Sequence, residues 1–110
     1  MIFNEVRDRI KILAKKYGWG DVPEKKLLYA IGEIGEVVDV MKKNPMDVEK
    51  MLWEAGDAIV YLIHFMITLD PEVDVDRVIG EIMDSLLTRD PKRWWGEKYF
   101  TTFKVRREGE

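Results

Sequence analysis

Residues 51–69 read MLWEAGDAIVYLIHFMITL, from Met51 to Leu69, and the way this stretch winds decides the fold. Wound as a helix at about 100° per residue, it gives a lopsided wheel. Met51, Leu52, Ala55, Ala58, Ile59, Leu62, Ile63, Met66, Ile67 and Leu69 cover most of the circumference, and Trp53, Val60 and Phe65 fill much of the rest. Glu54, Asp57, Tyr61, His64 and Thr68 share one stripe roughly 80° wide. A helix apolar nearly all round is expected to be buried on several sides. Its ionisable groups are then costly unless they are paired or bound to a cation. The carboxylates of Glu54 and Asp57 therefore require a partner.

That partner stands just upstream. Between Pro23 and Lys43, Leu27, Ile31, Ile34, Val38 and Met41 form one apolar stripe. Tyr29, Glu33, Glu36 and Val40 form another on roughly the opposite side. Asn44-Pro45 separates the two helices, and so short a connection predicts antiparallel neighbours. Glu33 and Glu36 lie one turn apart on one face, as do Glu54 and Asp57. Where the two faces meet, four carboxylates converge, which is strongly repulsive unless a divalent cation neutralises them. Glutamates three apart are commonplace on solvated helix faces. The apolar surroundings of Glu54 and Asp57 lift these pairs above that reading. All-oxygen ligands, with no cysteine and one remote histidine, favour Mg²⁺, or Mn²⁺, over Zn²⁺.

Outward from this hairpin, Ile2, Val6, Ile10, Leu13 and Tyr17 predict a first helix over residues 2–17, ended by Gly18 to Val22. Pro23 suits the first turn of the second helix and Glu24 its positive end, while Lys42 and Lys43 suit its negative end. Asn44 is the expected N-cap of the third helix, with Pro45 at its first position. Asp70-Pro71 closes that helix, and Asp74 or Asp70 is the expected cap of a fourth that runs to about Thr88. The expectation is an all-α domain of four helices over residues 1–88, a bundle completed by oligomerisation. A tail over 89–110, rich in basic and aromatic residues, is expected to be extended or irregular.

The 110 residues make one domain with a modest core, and a net charge of −3 gives no general attraction to nucleic acid or anionic membrane. The absence of cysteine removes disulfides, thiolate metal sites and cysteine nucleophiles, and fits a cytoplasmic protein. MIFNEVRDRI has charges too early for a signal peptide. The longest apolar run, broken by His64 and preceded by Glu54 and Asp57, reads as too short and polar to span a bilayer. No glutamine, only Asn4 and Asn44, and many Lys, Arg and Glu point to a heat-adapted source.

GEIGEVVDVMKK followed by LWEAGDAIVYLIHF, that is ExxE, a short turn, then ExxD, resembles the MazG-like all-α nucleoside triphosphate pyrophosphohydrolases. The likeness covers residues 27–68 well and the fourth helix loosely. It implies Mg²⁺ held by Glu33, Glu36, Glu54 and Asp57, with Tyr61 one turn beyond the aspartate. It further implies cleavage of (d)NTPs or related nucleotides to the monophosphate and pyrophosphate, by homodimers or by homotetramers built from dimers. Gly32 stands where many members have a second glutamate. The Lys and Asn that many carry late in the fourth helix are missing, so Arg77, Arg89, Lys92 and Arg93 are the candidates to grip phosphate. A catalytically weak oligomer that binds nucleotide or metal as a regulator is the alternative reading.

Trp19, in a glycine-flanked loop, is a candidate to stack a base, and Tyr61 to hydrogen-bond a carboxylate or phosphate. Trp53 reads as core or subunit packing and His64 as a satisfied interface residue. In the tail, Arg89, Lys92, Arg93, Lys98, Lys104, Arg106 and Arg107 interleave with Trp94, Trp95, Tyr99, Phe100 and Phe103, a mixture suited to single-stranded nucleic acid. An arm that docks its aromatics on a partner subunit is the preferred reading over an RNA site.

Overall fold

The structure, a computed structural model, describes residues 2–88. They form four helices and no strand: α1 Phe3–Tyr17, α2 Pro23–Lys43, α3 Val48–Leu69 and α4 Val75–Thr88. The chain divides into two compact units, residues 1–76 and 77–110. The basic and aromatic tail, with Arg89, Lys92 and Arg93, lies outside the described residues.

In the first unit, Gly18 ends α1 in the left-handed region at φ 67°, where a side chain would be strained. Pro23 opens α2 as expected. The α2–α3 junction differs from the expectation. Asn44 is the C-cap of α2, its N–H bonded to the Val40 carbonyl at 2.7 Å, and not the N-cap of α3. Residues 44–47 turn the chain, and Asp47 caps α3 by accepting from the Lys50 N–H at 3.1 Å. Pro45 thus falls in the turn, and α3 begins three residues later than its sequence position suggested. An aspartate with a free acceptor satisfies the first-turn donors better than the Asn-Pro pair.

The start of α4 is also capped in an unexpected way. Asn4 Oδ1 accepts from Val75 N at 2.8 Å and Asp76 N at 3.3 Å, while Asp76 Oδ1 accepts from Phe3 N at 3.0 Å. The N-termini of α1 and α4 therefore satisfy each other's orphan donors, and Asp74 receives the Asn4 amide at 3.0 Å. Arg7 to the Val73 carbonyl (2.7 Å) and Lys11 to Glu72 (2.8 Å) fasten α1 to the same turn.

The buried apolar residues are few: Ile10, Ala30, Val40, Ala58, Ile63 and Val75. Among the described residues α3 is not enclosed, for Leu52, Trp53, Ile59, Val60, Leu62 and Leu69 are exposed, in keeping with an apolar circumference too wide for four short helices to cover. By length and composition this 22-residue helix, of hydropathy 1.3, could cross a membrane, where the uninterrupted apolar run had read as too short. In the second unit α4 continues through an Arg77–Glu81 ion pair of 2.9 Å, spaced i, i+4, to Thr88.

Candidate functional site

The site lies along the groove between α2 and α3, which pack side by side over most of their length. Facing pairs descend on one helix as they rise on the other: Glu36 with Glu54, and Tyr29 with Tyr61. The helices are antiparallel, and the ExxE and ExxD faces meet.

Glu33, Glu36 and Glu54 each offer one oxygen to a cluster in which these atoms lie within 4.8 Å of one another. Glu33 and Glu54 are half-buried and Glu36 is exposed. The Glu54 carboxylate, through a hydrogen bond and its charge, raises the Glu36 pKa above the ordinary range, with desolvation adding to it. Glu33 and the Lys50 charge oppose that rise. Glu33 Oε2 is buried with no hydrogen-bond partner. An acceptor in that position asks for a proton or a cation. Three converging hard oxygens, one of them orphaned, fit a small divalent cation.

Asp57 is not in this trio. One turn further along α3, it lines a cavity of about 480 Å³ with Trp19, Lys26, Tyr29, Val60, Tyr61 and His64. The Tyr29 and Tyr61 rings are tilted at 5.4 Å between centroids. Burial raises the Tyr61 pKa, and the Glu33 and Asp57 charges add to it, so the phenol keeps its proton. Trp19 stacks on Tyr17 at 5.9 Å and reaches the His64 ring at 6.0 Å. Burial lowers the His64 pKa and the Lys26 charge lowers it further, leaving the imidazole neutral near pH 7. On the other side of the trio, Glu36 and Glu54 join Asp39, Lys43, Asn44, Asp47 and Lys50 around a second, more open cavity of about 390 Å³.

The structure thus gathers Glu33, Glu36 and Glu54 at one point, and Trp19, Tyr61 and Asp57 in the adjoining cavity. Trp53 is 72% exposed and stands apart, beside Asp47, Glu49 and Lys50. His64 is buried in the cavity wall. Three lysines were missed. Lys26 extends the Tyr29–Glu33–Glu36 stripe by one turn, a signal that was present in the spacing. Lys43 reads in the sequence only as helix-end charge, and nothing in the spacing singles out Lys50.

The fold and site define an all-α hairpin whose carboxylates, from two antiparallel helices around an orphaned oxygen, could hold a metal ion beside a cavity. Residues 22–94 match the family model of the MazG nucleotide pyrophosphohydrolase domain, and the chain belongs to that family. No curated protein and no solved structure matches it. The family acts on nucleoside triphosphates and is typically dependent on a divalent metal.

Proposed function

We propose that the protein is a Mg²⁺-dependent pyrophosphohydrolase that cleaves (d)NTPs or related nucleotides to the monophosphate and pyrophosphate. The observation that carries this reading is the Glu33–Glu36–Glu54 cluster with its unpaired buried oxygen, set between a lysine-edged and an aromatic cavity. Glu33, Glu36 and Glu54 would hold the cation, and Asp57 would complete the set from the cavity wall. A bound Mg²⁺ supplies charge neutralisation for the phosphates and acidifies a coordinated water.

The chain's own groups do the rest. A carboxylate of the set accepts the proton of the attacking water, whose oxygen forms a bond to the α-phosphorus. The bond from that phosphorus to the bridging oxygen breaks, and pyrophosphate carries away the electron pair. Lys43 and Lys50, at the open edge, offset its charge. Tyr61, held protonated, donates a hydrogen bond toward the sugar–phosphate end of the nucleotide, and Trp19 stacks the base. Arg89, Lys92 and Arg93 remain further candidates for the phosphate grip.

The exposed apolar residues of α2 and α3, among them Leu28, Ile31, Leu52, Trp53 and Ile59, support a homodimer or homotetramer rather than a membrane span. Glu54 and Asp57 share α3 with them, and carboxylates at that depth are costly in lipid. Light scattering tests this arm: a monomer at micromolar concentration overturns it. The activity is tested by pyrophosphate and phosphate release from a panel of NTPs and dNTPs, with and without Mg²⁺. Metal-dependent pyrophosphate release is expected; silence across the panel overturns the reading.

A further inference from the structure

Lys26 is 7% exposed, and its ammonium has no carboxylate or hydrogen-bonding partner among the described residues. Its one recorded contact is with the face of the Tyr29 ring, 5.7 Å from Nζ to the centroid. The stem is buried while the ammonium reaches the cavity, where it has no protein acceptor and an aromatic face is only a partial substitute for one. The side chain lines the 480 Å³ cavity, so whatever fills the cavity meets it.

The cavity has a direction. The three glutamates lie beyond its Asp57 end, Tyr29 and Tyr61 stand in the middle, and Lys26 with His64 and Trp19 at the other end. Seven residues of α2 separate Lys26 from Glu33, about 10 Å along the helix axis. That is the span of a nucleoside from its 5′ oxygen to the far edge of its base. A nucleotide with its phosphates at the carboxylates and its ring among Trp19, Tyr29 and Tyr61 presents that far edge to Lys26.

Lysine is a donor only. Uracil and thymine offer it a carbonyl oxygen at position 4, and cytosine an amino group there. Asp57, the one anion of the wall, stands two turns of α3 from His64 and so belongs to the other end of the cavity. Neutral His64 contributes no second cation and has one donor and one acceptor for the neighbouring ring edge.

Resting on the nucleotide reading above, we propose that Lys26 is the residue that reads the base, and that the cavity selects nucleotides with a carbonyl at the far edge, uridine or thymidine, over cytidine. A donor-rich pocket rejects the amino base because the ammonium, cut off from water by the bound base, would stay unpaired against another donor.

The test is a calorimetric titration, with Mg²⁺, of the non-hydrolysable α,β-imido triphosphates of deoxyuridine and deoxycytidine. Wild type is expected to bind the deoxyuridine analogue about 10- to 100-fold more tightly, the range for a hydrogen bond to a charged group. Lys26→Met, which keeps the length and packing of the stem, is expected to erase that preference while leaving deoxycytidine affinity in place. Equal affinities in the wild type, no binding of either analogue, or an undiminished preference in Lys26→Met each overturn the proposal. The wild-type comparison needs no variant to fold. Pyrophosphate release, measured separately, keeps the two readings apart. Selective binding without turnover breaks the hydrolase reading alone, and turnover with indifferent binding breaks this one alone.

Discussion

The groove between α2 and α3 has two ends made from the same pair of helices, and they solve opposite problems. At the carboxylate end, negative charge is concentrated where two half-buried glutamates face an exposed one, and Glu33 Oε2 has nothing to accept from. At the aromatic end, the Lys26 ammonium lines the cavity over the Tyr29 ring, with no ion-pair partner among the described residues. Each end is incomplete in a complementary sense: one needs a cation, the other an acceptor. A molecule with metal-bound phosphates at one extremity and carbonyl oxygens at the other would complete both at once. A metal and a ligand that bind only the folded chain would raise its stability together.

The sharpest way to break this comparison is to remove charge from the carboxylate end. Glu54→Gln is expected to cut Mg²⁺-dependent turnover by about 10²- to 10³-fold or more, the scale of losing a preorganised electrostatic group. It is also expected to abolish the rise in Tm with Mg²⁺ while circular dichroism stays helical. Asp57→Asn is expected to suppress turnover but to retain part of the Mg²⁺-induced stabilisation, because Asp57 stands outside the three-glutamate cluster. Equal metal responses in the two variants would place Asp57 in the cluster after all.

The aromatic end is probed by a substrate with no base. Trp19→Ala is expected to raise KM for nucleotides about 5- to 100-fold, from the loss of one base–aromatic stack. Hydrolysis of inorganic tripolyphosphate by the same variant is expected to be unchanged. A parallel loss on both substrates would mean that Trp19 supports the fold of the loop and not the ligand. Next in size, Lys43→Met and Lys50→Met are expected to raise KM a few-fold, more at low salt than high, as exposed charges do.

Much of this groove could be read from spacing. The ExxE and ExxD pairs, the antiparallel hairpin and the placement of Tyr61 on the carboxylate stripe all follow from a 3.6-residue period, which fixes what shares a face. Helix ends were less legible. Asp47 took the N-cap of α3 from Asn44, and Asn4 capped α4 from the far end of the chain, a contact across more than seventy residues that no local pattern encodes. Nor does a period distinguish a carboxylate in the cluster from its neighbour one turn away. Asp57 was grouped with Glu54 by sequence, and the rise along α3 separates them. Lys26 was missed because a lysine on a helix is normally solvated. It shares a cavity wall with Trp19 and His64, which come from other elements. The described residues leave much of α3 exposed, since a wheel reports how much apolar surface must be covered but not what covers it.

The contacts that hold α1 against the α3–α4 turn give the smallest effects, and these serve as controls for the groove. Asn4→Ala removes a cap and is expected to cost about 1 kcal/mol, lowering Tm without changing kcat/KM. Smaller still is the Lys11–Glu72 pair. The Lys11 hydrogen bond, followed by its charge, depresses the Glu72 pKa below its ordinary 4.5. A carboxyl whose folded pKa is depressed contributes stability that is present above its unfolded pKa and is lost as pH falls through the folded one. Lys11→Met should therefore lower Tm slightly at neutral pH and not at all once the pH has fallen through the depressed Glu72 pKa. Because both side chains reach solvent, the neutral-pH shift should also shrink with added salt. A shift of Tm that persists into acid would assign the effect to the second Lys11 bond, to the Pro71 carbonyl at 3.1 Å, which has no titrating partner.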